Sequence, residues 1–194
     1  ATLCLMAGKR AKASGAYASA QAYLSFGSTL LLEDDQAHPY RLGFELQHHL
    51  AECEIVGGEV SAAEARLGRL AEKAQGLIDQ IEVVCLSVRM YFTTGRNDRA
   101  VEVALDFLPR VGIRWPPRAA EEAVRREYLE MHERLAARGD QALIDMPVMD
   151  DAVCIATMDL LTELFPAAYA VDRHLLGLVL LRMTNLSLEK GNCE

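Results

Sequence analysis

Gly8-Lys9 is the first pair in this chain whose residue types could do chemistry, because a glycine followed by lysine closes a phosphate-binding loop. However, Leu3 stands where such a loop has its first glycine, and Arg10 stands where it has serine or threonine. The pair also lies inside a helical pattern. We therefore expect no phosphate-binding loop here.

His48 and Glu52 stand one helical turn apart and could share a metal ion. No third ligand follows at a suitable spacing, so a polar helix face is the better interpretation. The acidic pairs Asp34-Asp35 and Asp150-Asp151 each precede a helical pattern. Carboxylates at that position favour the positive end of the helix dipole, so we interpret both pairs as helix-start charges.

His132 lies among Glu130, Glu133 and Arg134, surroundings that invite comparison with a phosphorylatable histidine. A phosphoacceptor helix needs a second dimerising helix and an ATP-binding domain, and the sequence contains neither, so we interpret this stretch as a solvated helix face. No Ser/His/Asp or Cys/His arrangement can be asserted at the separations found. The sequence predicts that the chain is not an enzyme and holds neither a cofactor nor a metal.

Composition limits the class of protein. Hydrophobic residues make up 51% and aromatic residues 6%, a balance that favours soluble helix-on-helix packing and an all-α fold. The net charge is −8 without a basic stripe, which argues against nucleic acid as a partner. The five cysteines are scattered without a Cys-x-x-Cys pair, as in a cytoplasmic protein with reduced thiols. We find no signal peptide and no apolar run of about 18 residues, so no membrane is expected.

Three glycines mark an internal repeat. Gly15, Gly58 and Gly95 each follow a helical pattern and recur at intervals of about 40 residues. Small or apolar residues follow each glycine at the same two distances. Five residues after the glycine stand Ala20, Ala63 and Ala100, and nine residues after it stand Leu24, Leu67 and Ala104. This pattern predicts helical hairpins whose helices cross closely at the small residues.

The same pattern predicts where the helices begin. Ser61, with Glu64, is expected to form a capping box for the helix after Gly58. Asn97 or Asp98 is expected to cap the helix after Gly95.

We predict that residues 1–110 form three such hairpins and that 111–194 continue the array after a proline-rich break. The break is the segment VGIRWPP, residues 111–117, because its prolines cannot continue a helix. Later helices are expected at about 118–138, at about 151–164, ending before Pro166, and at about 172–190. The last hairpin is expected to be truncated after Gly191, leaving the apolar face of 175–188 partly uncovered.

The repeat positions resemble those of the tetratricopeptide repeat. The matching residues are Gly8, Gly15, Tyr17, Ala20, Leu24 and Gly27. More of the chain is similar to the helical-repeat region of large bacterial multidomain signalling proteins, in the stretches 7–31, 45–65, 93–116, 143–151 and 185–192. Those proteins join a serine/threonine kinase-like domain, a predicted ATPase and often a sensor histidine kinase. Gln36 departs from the pattern, where many relatives have an aromatic residue.

The resemblance implies antiparallel hairpins stacked as a right-handed solenoid of about nine helices. It also implies that the first helix of each hairpin lines a groove that holds a protein or peptide segment, including flanking ATPase or kinase domains. Aligning the glycines places these residues in that groove: Lys9, Lys12, His48, Glu52, Arg89, Phe92 and Asn185. The implied function is a non-catalytic scaffold for protein-protein or interdomain interaction in a cytoplasmic signalling protein. The alternative is a superhelical domain that senses a small effector and regulates an adjoining ATPase or kinase.

Overall fold

A computed structural model describes residues 1–33, 40–116, 120–138 and 146–193 of this chain. Within these ranges the backbone forms nine α-helices, one short 3-10 helix and no strand beyond an isolated bridge. The all-α class is therefore confirmed. The chain divides into two compact units, Ala1–Gly76 and Leu77–Glu194, so the third predicted hairpin groups with the residues that follow it. Asp34-Asp35 and Gln36 lie outside the described residues.

The first unit contains two helical hairpins. Its helices are α1 (Thr2–Ala13), α2 (Tyr17–Glu33), α3 (Tyr40–Val56) and α4 (Val60–Lys73). Helix α2 packs against both α1 and α3, α3 packs against α4, and α1 also touches α3. The shared core consists of Leu5, Ala20, Leu24, Leu46, Leu50 and Cys53. The core residues of α2 and of α3 recur at helical spacing, so each of these two helices has one apolar face that packs on the common core.

The second unit contains the remaining five α-helices. They are α5 (Leu77–Thr93), α6 (Asn97–Phe107), α7 (Glu121–Arg138), α8 (Ala152–Val171) and α9 (Arg173–Lys190), with a 3-10 helix at Leu108–Val111 after α6. Helix α8 packs against α5, α6 and α9, and α7 packs against α9. Helices α8 and α7 cover the side of α9 on which these residues are buried: Leu175, Leu178, Val179, Leu186 and Leu188. Leu180 of the same helix is 46% exposed, so the apolar residues of 175–188 are only partly covered.

The three predicted turns share one geometry. Gly15, Gly58 and Gly95 have φ angles of 77°, 79° and 76°. At each turn the glycine N–H donates to the carbonyl three residues back, and the next N–H donates to the carbonyl five residues before it. This pair of bonds is the Schellman motif, which needs a left-handed residue after the helix and so favours glycine.

The predicted side-chain caps are wrong, and the turn explains why. Helix α4 begins at Val60 with Glu59 in the cap position, and α6 begins at Asn97 with Arg96 in the cap position. Neither cap makes a side-chain hydrogen bond to the helix. The Schellman turn starts the next helix directly after the glycine, so Ser61, Asn97 and Asp98 already lie inside helices.

Small residues stand where helices approach most closely, as predicted. Ala20, Ala63, Ala100 and Ala104 have no exposed surface. A Cβ atom at Gly8 would lie 2.5 Å from Cγ of Leu24, and one at Gly27 would lie 2.8 Å from Cβ of Cys4. Any side chain at these two glycines would therefore force α1 and α2 apart.

Helix α8 does not end before Pro166, as was expected, but continues to Val171. A proline inside a helix removes one backbone hydrogen bond and costs about 3 kcal/mol. Leu164, Ala167 and Ala168 on either side of it are completely buried, so packing of both halves holds the helix together. By length and hydropathy alone α8 could cross a membrane, but its contacts with three other helices are those of a core helix.

Gly191 does not repeat the turn found at Gly95. Its φ and ψ are 108° and 175°, outside the left-handed helical region. A Cβ atom there would collide with the carbonyl oxygen of Pro147. Asn192 N–H donates to that carbonyl, and Met149 N–H donates to the Asn192 carbonyl. The glycine therefore allows the segment before α8 to pack against the end of α9.

We expect Gly58→Ala to lower the free energy of unfolding of the first unit by about 1–2 kcal/mol, because its backbone is left-handed. The matched control is Gly68→Ala, which has open space around the new Cβ and lies inside α4. It should raise stability by about 0.5–1 kcal/mol through helix propensity. Urea unfolding followed by circular dichroism measures both values. Equal effects of the two changes would contradict the strain assigned to Gly58.

Candidate partner-binding surfaces

In the first unit, charged side chains of α1 and α3 meet across the helix pair. Lys9 pairs with Glu45, and Lys12 donates to Glu52 and, at 2.9 Å, to Nδ1 of His49. Lys12, His49 and Glu52 are each about one-fifth exposed. We call these five residues, together with His48, the α1–α3 face. The structure thus brings together four residues that the glycine alignment placed in a groove: Lys9, Lys12, His48 and Glu52.

His48 is held by neighbouring rings within α3. Its ring stacks on Phe44, with centroids 6.0 Å apart and planes at 21°, and lies edge-on to His49 at 5.5 Å. Phe44 is buried, so one face of His48 covers the core. The imidazole is therefore fixed in orientation at the edge of the α1–α3 face.

Glu45 is the acidic centre of this face. Its carboxylate accepts from Lys9 and, at 3.1 Å, from Nε of Arg41 on the same helix. The hydrogen bond from Lys9, followed by the charges of Lys9 and Arg41, lowers the pKa of Glu45 although partial burial opposes this. Glu45 therefore remains ionised in mildly acidic solution.

In the second unit, α5 and α8 carry a second charged face. Nε of Arg89 donates to both carboxylate oxygens of Glu163 at 3.1 Å, and its Nη2 also bonds that carboxylate. This fork geometry fixes both side chains. Phe92 is half-buried one turn further along α5, and Asp159 lies one turn before Glu163 on α8. We call Arg89, Phe92, Asp159 and Glu163 the α5–α8 face.

Cys85 lies beside this face but is not a reactive thiol. Burial, with smaller effects from the charges of Glu163 and Asp159, raises the pKa of the Cys85 thiol to about 12. A thiolate is the nucleophilic form of cysteine, so the side chain is inert near neutral pH. Partial burial and the charge of Glu163 likewise raise the pKa of Asp159.

Asn185 does not lie on either face. It is completely buried, and its Nδ2 donates to the carbonyl oxygen of Glu127 at 3.0 Å and to the Glu127 carboxylate at 2.9 Å. Its Oδ1 accepts from Arg134 at 2.9 Å. These bonds attach α9 to α7, so Asn185 has a packing role in this structure and offers no exposed atom to a partner.

The sequence did not indicate the buried ion pair between α3 and α4. Glu54 is 4% exposed and accepts from Nε and Nη2 of Arg66 at 2.9 and 2.6 Å. Arg66 also bonds Gln47, whose Nε2 donates to the Ser28 hydroxyl at 3.0 Å. The one signal in the sequence was an acidic residue inside the apolar run Cys53–Val56.

A cleft of about 550 Å³ opens in the first unit. Leu31, Phe44 and Leu70 supply apolar surface from α2, α3 and α4, and Gly43 contributes bare backbone. Ser28 and Gln47 form a polar wall that is internally hydrogen-bonded. Lys73 and Gln75 complete the described lining. The volume lies within the range of small-molecule sites, roughly 300–1,000 Å³.

Asp151 and His132, which the sequence offered as candidates for chemistry, both have structural roles. Asp151 caps α8, accepting from the N–H groups of Val153 and Cys154 at 3.0 and 3.1 Å, so the helix-start prediction is confirmed there. His132 stacks on Tyr128 along α7. Across the described ranges, no three His, Cys, Asp or Glu side chains group closely enough to hold a metal ion.

Comparison of the chain with protein-family models, with curated proteins and with solved structures gives no match. The resemblance to the helical-repeat region of bacterial signalling proteins therefore stays a prediction.

We expect Glu45→Gln to destabilise the first unit at pH 7 by about 0.5 kcal/mol, a small value because the pair is partly exposed to solvent. A carboxyl whose folded pKa is lowered stabilises above its ordinary pKa and loses that contribution as pH falls through the folded value. The difference between variant and wild type should therefore shrink as the pH falls below the ordinary pKa of a glutamate carboxyl and disappear once Glu45 is protonated in the folded state. Urea unfolding at several pH values measures it. The control is Glu72→Gln, at an exposed position of α4. An equal pH dependence of stability in both variants would refute the role of Glu45.

Asn185→Ala should lower the stability of the second unit by about 1–3 kcal/mol, because it removes the three hydrogen bonds that the buried Asn185 side chain makes to Glu127 and Arg134. The neighbouring exposed Thr184→Ala is the control and should change stability by less than about 0.5 kcal/mol. Thermal and urea unfolding measure both. A neutral Asn185→Ala would mean that the bonds between α9 and α7 contribute nothing net.

Proposed function

We propose that the chain is a non-catalytic helical-repeat scaffold that docks a protein or peptide segment on its charged faces. It would act in a cytoplasmic signal-transduction protein, where flanking ATPase or kinase domains are candidate partners and the hairpins stack as a right-handed solenoid. The observation that supports this most is the α1–α3 face. There the first helices of two neighbouring hairpins present side chains of both charges at one surface.

The chemistry of the face suits an exchange of ion-pair partners. Lys12 is shared between His49 and Glu52, and Lys9 is about half exposed. Because an ion pair that is largely open to solvent contributes at most about 1 kcal/mol, a partner carboxylate can replace Glu45 on the half-exposed Lys9 at little cost. Such a surface selects partners by the order of charges rather than by buried area.

The α5–α8 face combines an ion pair with an apolar side chain that could anchor a partner. Arg89 is about two-fifths exposed while it holds Glu163, and half-buried Phe92 lies beside it on α5. An arginine next to an aromatic side chain is a frequent combination at the centre of protein interfaces. This unit therefore has the composition of a peptide-docking surface by itself.

The cleft in the first unit favours a second candidate function, the sensing of a small effector. A sensor needs an apolar cavity with a few polar groups that converge on it. In this function the bound molecule would change how the chain holds an adjoining ATPase or kinase. A ligand-dependent rise in melting temperature tests the binding step.

Exchanging the two charges of a pair tests the docking proposal without removing the ion pair. We expect Lys12→Glu with Glu52→Lys, and Arg89→Glu with Glu163→Arg, each to weaken partner binding at least about tenfold, or 1.4 kcal/mol. The folded state should persist because each pair is retained in reversed order. Biolayer interferometry against the segments that the wild-type chain captures measures the dissociation constants.

The matched control exchanges Arg99 and Glu102, an exposed ion pair on α6 that lies outside both faces. Arg99→Glu with Glu102→Arg should leave partner binding unchanged. If the two face exchanges bind as tightly as this control, the docking proposal is wrong.

A further inference from the structure

Among the described residues, no packing contact explains Gly43. It lies inside α3 with a negative φ, and of the described side chains a Cβ atom there would meet one atom of Leu31 at an ordinary 3.8 Å. Gly8 and Gly27 differ, because their Cβ atoms would collide with neighbouring helices. A glycine inside a helix destabilises it relative to alanine. At Gly43 its effect is to leave open the cleft that it lines.

The walls of the cleft are fixed before any ligand arrives. Gln47 donates to Ser28 and accepts from Arg66, which is itself held by buried Glu54. Tyr40, which also lines the cleft, accepts from the backbone N–H of Gln75 at 3.1 Å. A preformed wall loses little conformational entropy on binding.

Among the described residues that line the cleft, the charge has one sign. Lys73 is the only charged side chain in that set, and it makes no ion pair with another described residue. The lining from Leu31, Phe44 and Leu70 is apolar. The net charge of the chain is −8, so general attraction does not favour anions. Within the described lining, Lys73 is therefore the side chain that can give a preference for an anion.

We propose that the cleft between α2, α3 and α4 binds a small amphipathic carboxylate, its apolar body over Gly43 and its carboxylate on Lys73. This inference rests on the second candidate function and is independent of both docking faces. The volume of about 550 Å³ fits a free molecule of this kind.

Three probes of one shape test the class of ligand. They are 4-phenylbutyrate, its neutral amide 4-phenylbutanamide and its cationic counterpart 4-phenylbutylamine. Titration calorimetry and ligand-observed NMR on the whole chain should show saturable binding of the carboxylate. The amide should bind about tenfold more weakly and the amine more weakly still. Absence of saturable carboxylate binding, or equal binding of all three, would overturn the proposal.

Variants with matched controls locate the site. Gly43→Leu should abolish binding while the chain remains folded, and Gly68→Leu, also inside a helix but facing open space, should bind as wild type. Lys73→Gln should bind carboxylate and amide equally, Lys73→Arg should restore the preference, and Arg69→Gln one turn earlier should leave it unchanged. Undiminished binding in both Gly43→Leu and Lys73→Gln would place the ligand elsewhere and refute the assignment.

Two further measurements distinguish a free small molecule from the end of a peptide, and binding from sensing. A peptide that ends in a free phenylalanine carboxylate should bind no more tightly than 4-phenylbutyrate, and much tighter binding would overturn the assignment to a small molecule. Carboxylate binding that leaves partner capture unchanged supports the site and rejects the sensing function. Because the cleft lies apart from the exchanged ion pairs, the charge-exchange variants should bind 4-phenylbutyrate as wild type does.

Discussion

Close approach of paired helices is the constraint on which most of this structure depends. A Schellman turn allows α1 to be followed by α2 shortly after Gly15, so the helices meet directly beyond the turn. At that distance the contact positions admit only glycine or alanine, as at Gly8 and Ala20. The hairpins therefore repeat in sequence because their turns repeat in geometry. Leucines such as Leu24 then fill the space between one hairpin and the next.

The same packing determines which side chains remain for function. In the first unit α2 contacts both α1 and α3, and the buried residues of α1 and α3 face it. The charged residues of those two helices meet each other instead, in the pairs Lys9–Glu45 and Lys12–Glu52. The Lys9–Glu45 pair is open enough to water that it adds little stability. Its arrangement is consequently free to vary with the requirements of a partner.

The periodicity of the sequence predicts the hairpins correctly, but it does not predict where their helices begin and end. The glycine turns and the buried alanines follow from local spacing, which the sequence shows directly. The cap predictions at Ser61 and Asn97 were wrong because the Schellman turn starts the next helix earlier. Pro166 was expected to end a helix, but burial of Leu164 and Ala167 on either side outweighs the local penalty. Local turn geometry decided the first case and tertiary packing the second.

The candidate site shows the same limit. Lys9, Lys12, His48 and Glu52 could be placed on one surface because the glycine alignment assigns each of them to a groove-lining position of the repeat. Their partners Glu45 and His49 could not be assigned, because an ion pair between α1 and α3 depends on how the helices rotate against each other. Asn185 failed for a related reason: the glycine after α9 serves a close approach to Pro147 rather than a repeat turn. An alignment based on that glycine therefore moved a buried residue to a surface.

The glycines of this chain serve different purposes, and one of them connects the fold to the cleft. Gly58 is required by its backbone angle, and Gly8 and Gly27 by the distance to a neighbouring helix. Among the described residues neither reason applies to Gly43, although it lies inside α3 and lowers that helix's stability. Gly68 is equally unconstrained but faces open space, whereas Gly43 borders an apolar cleft. A local loss of stability that opens a cavity is the pattern expected of a binding site, where function and stability oppose each other.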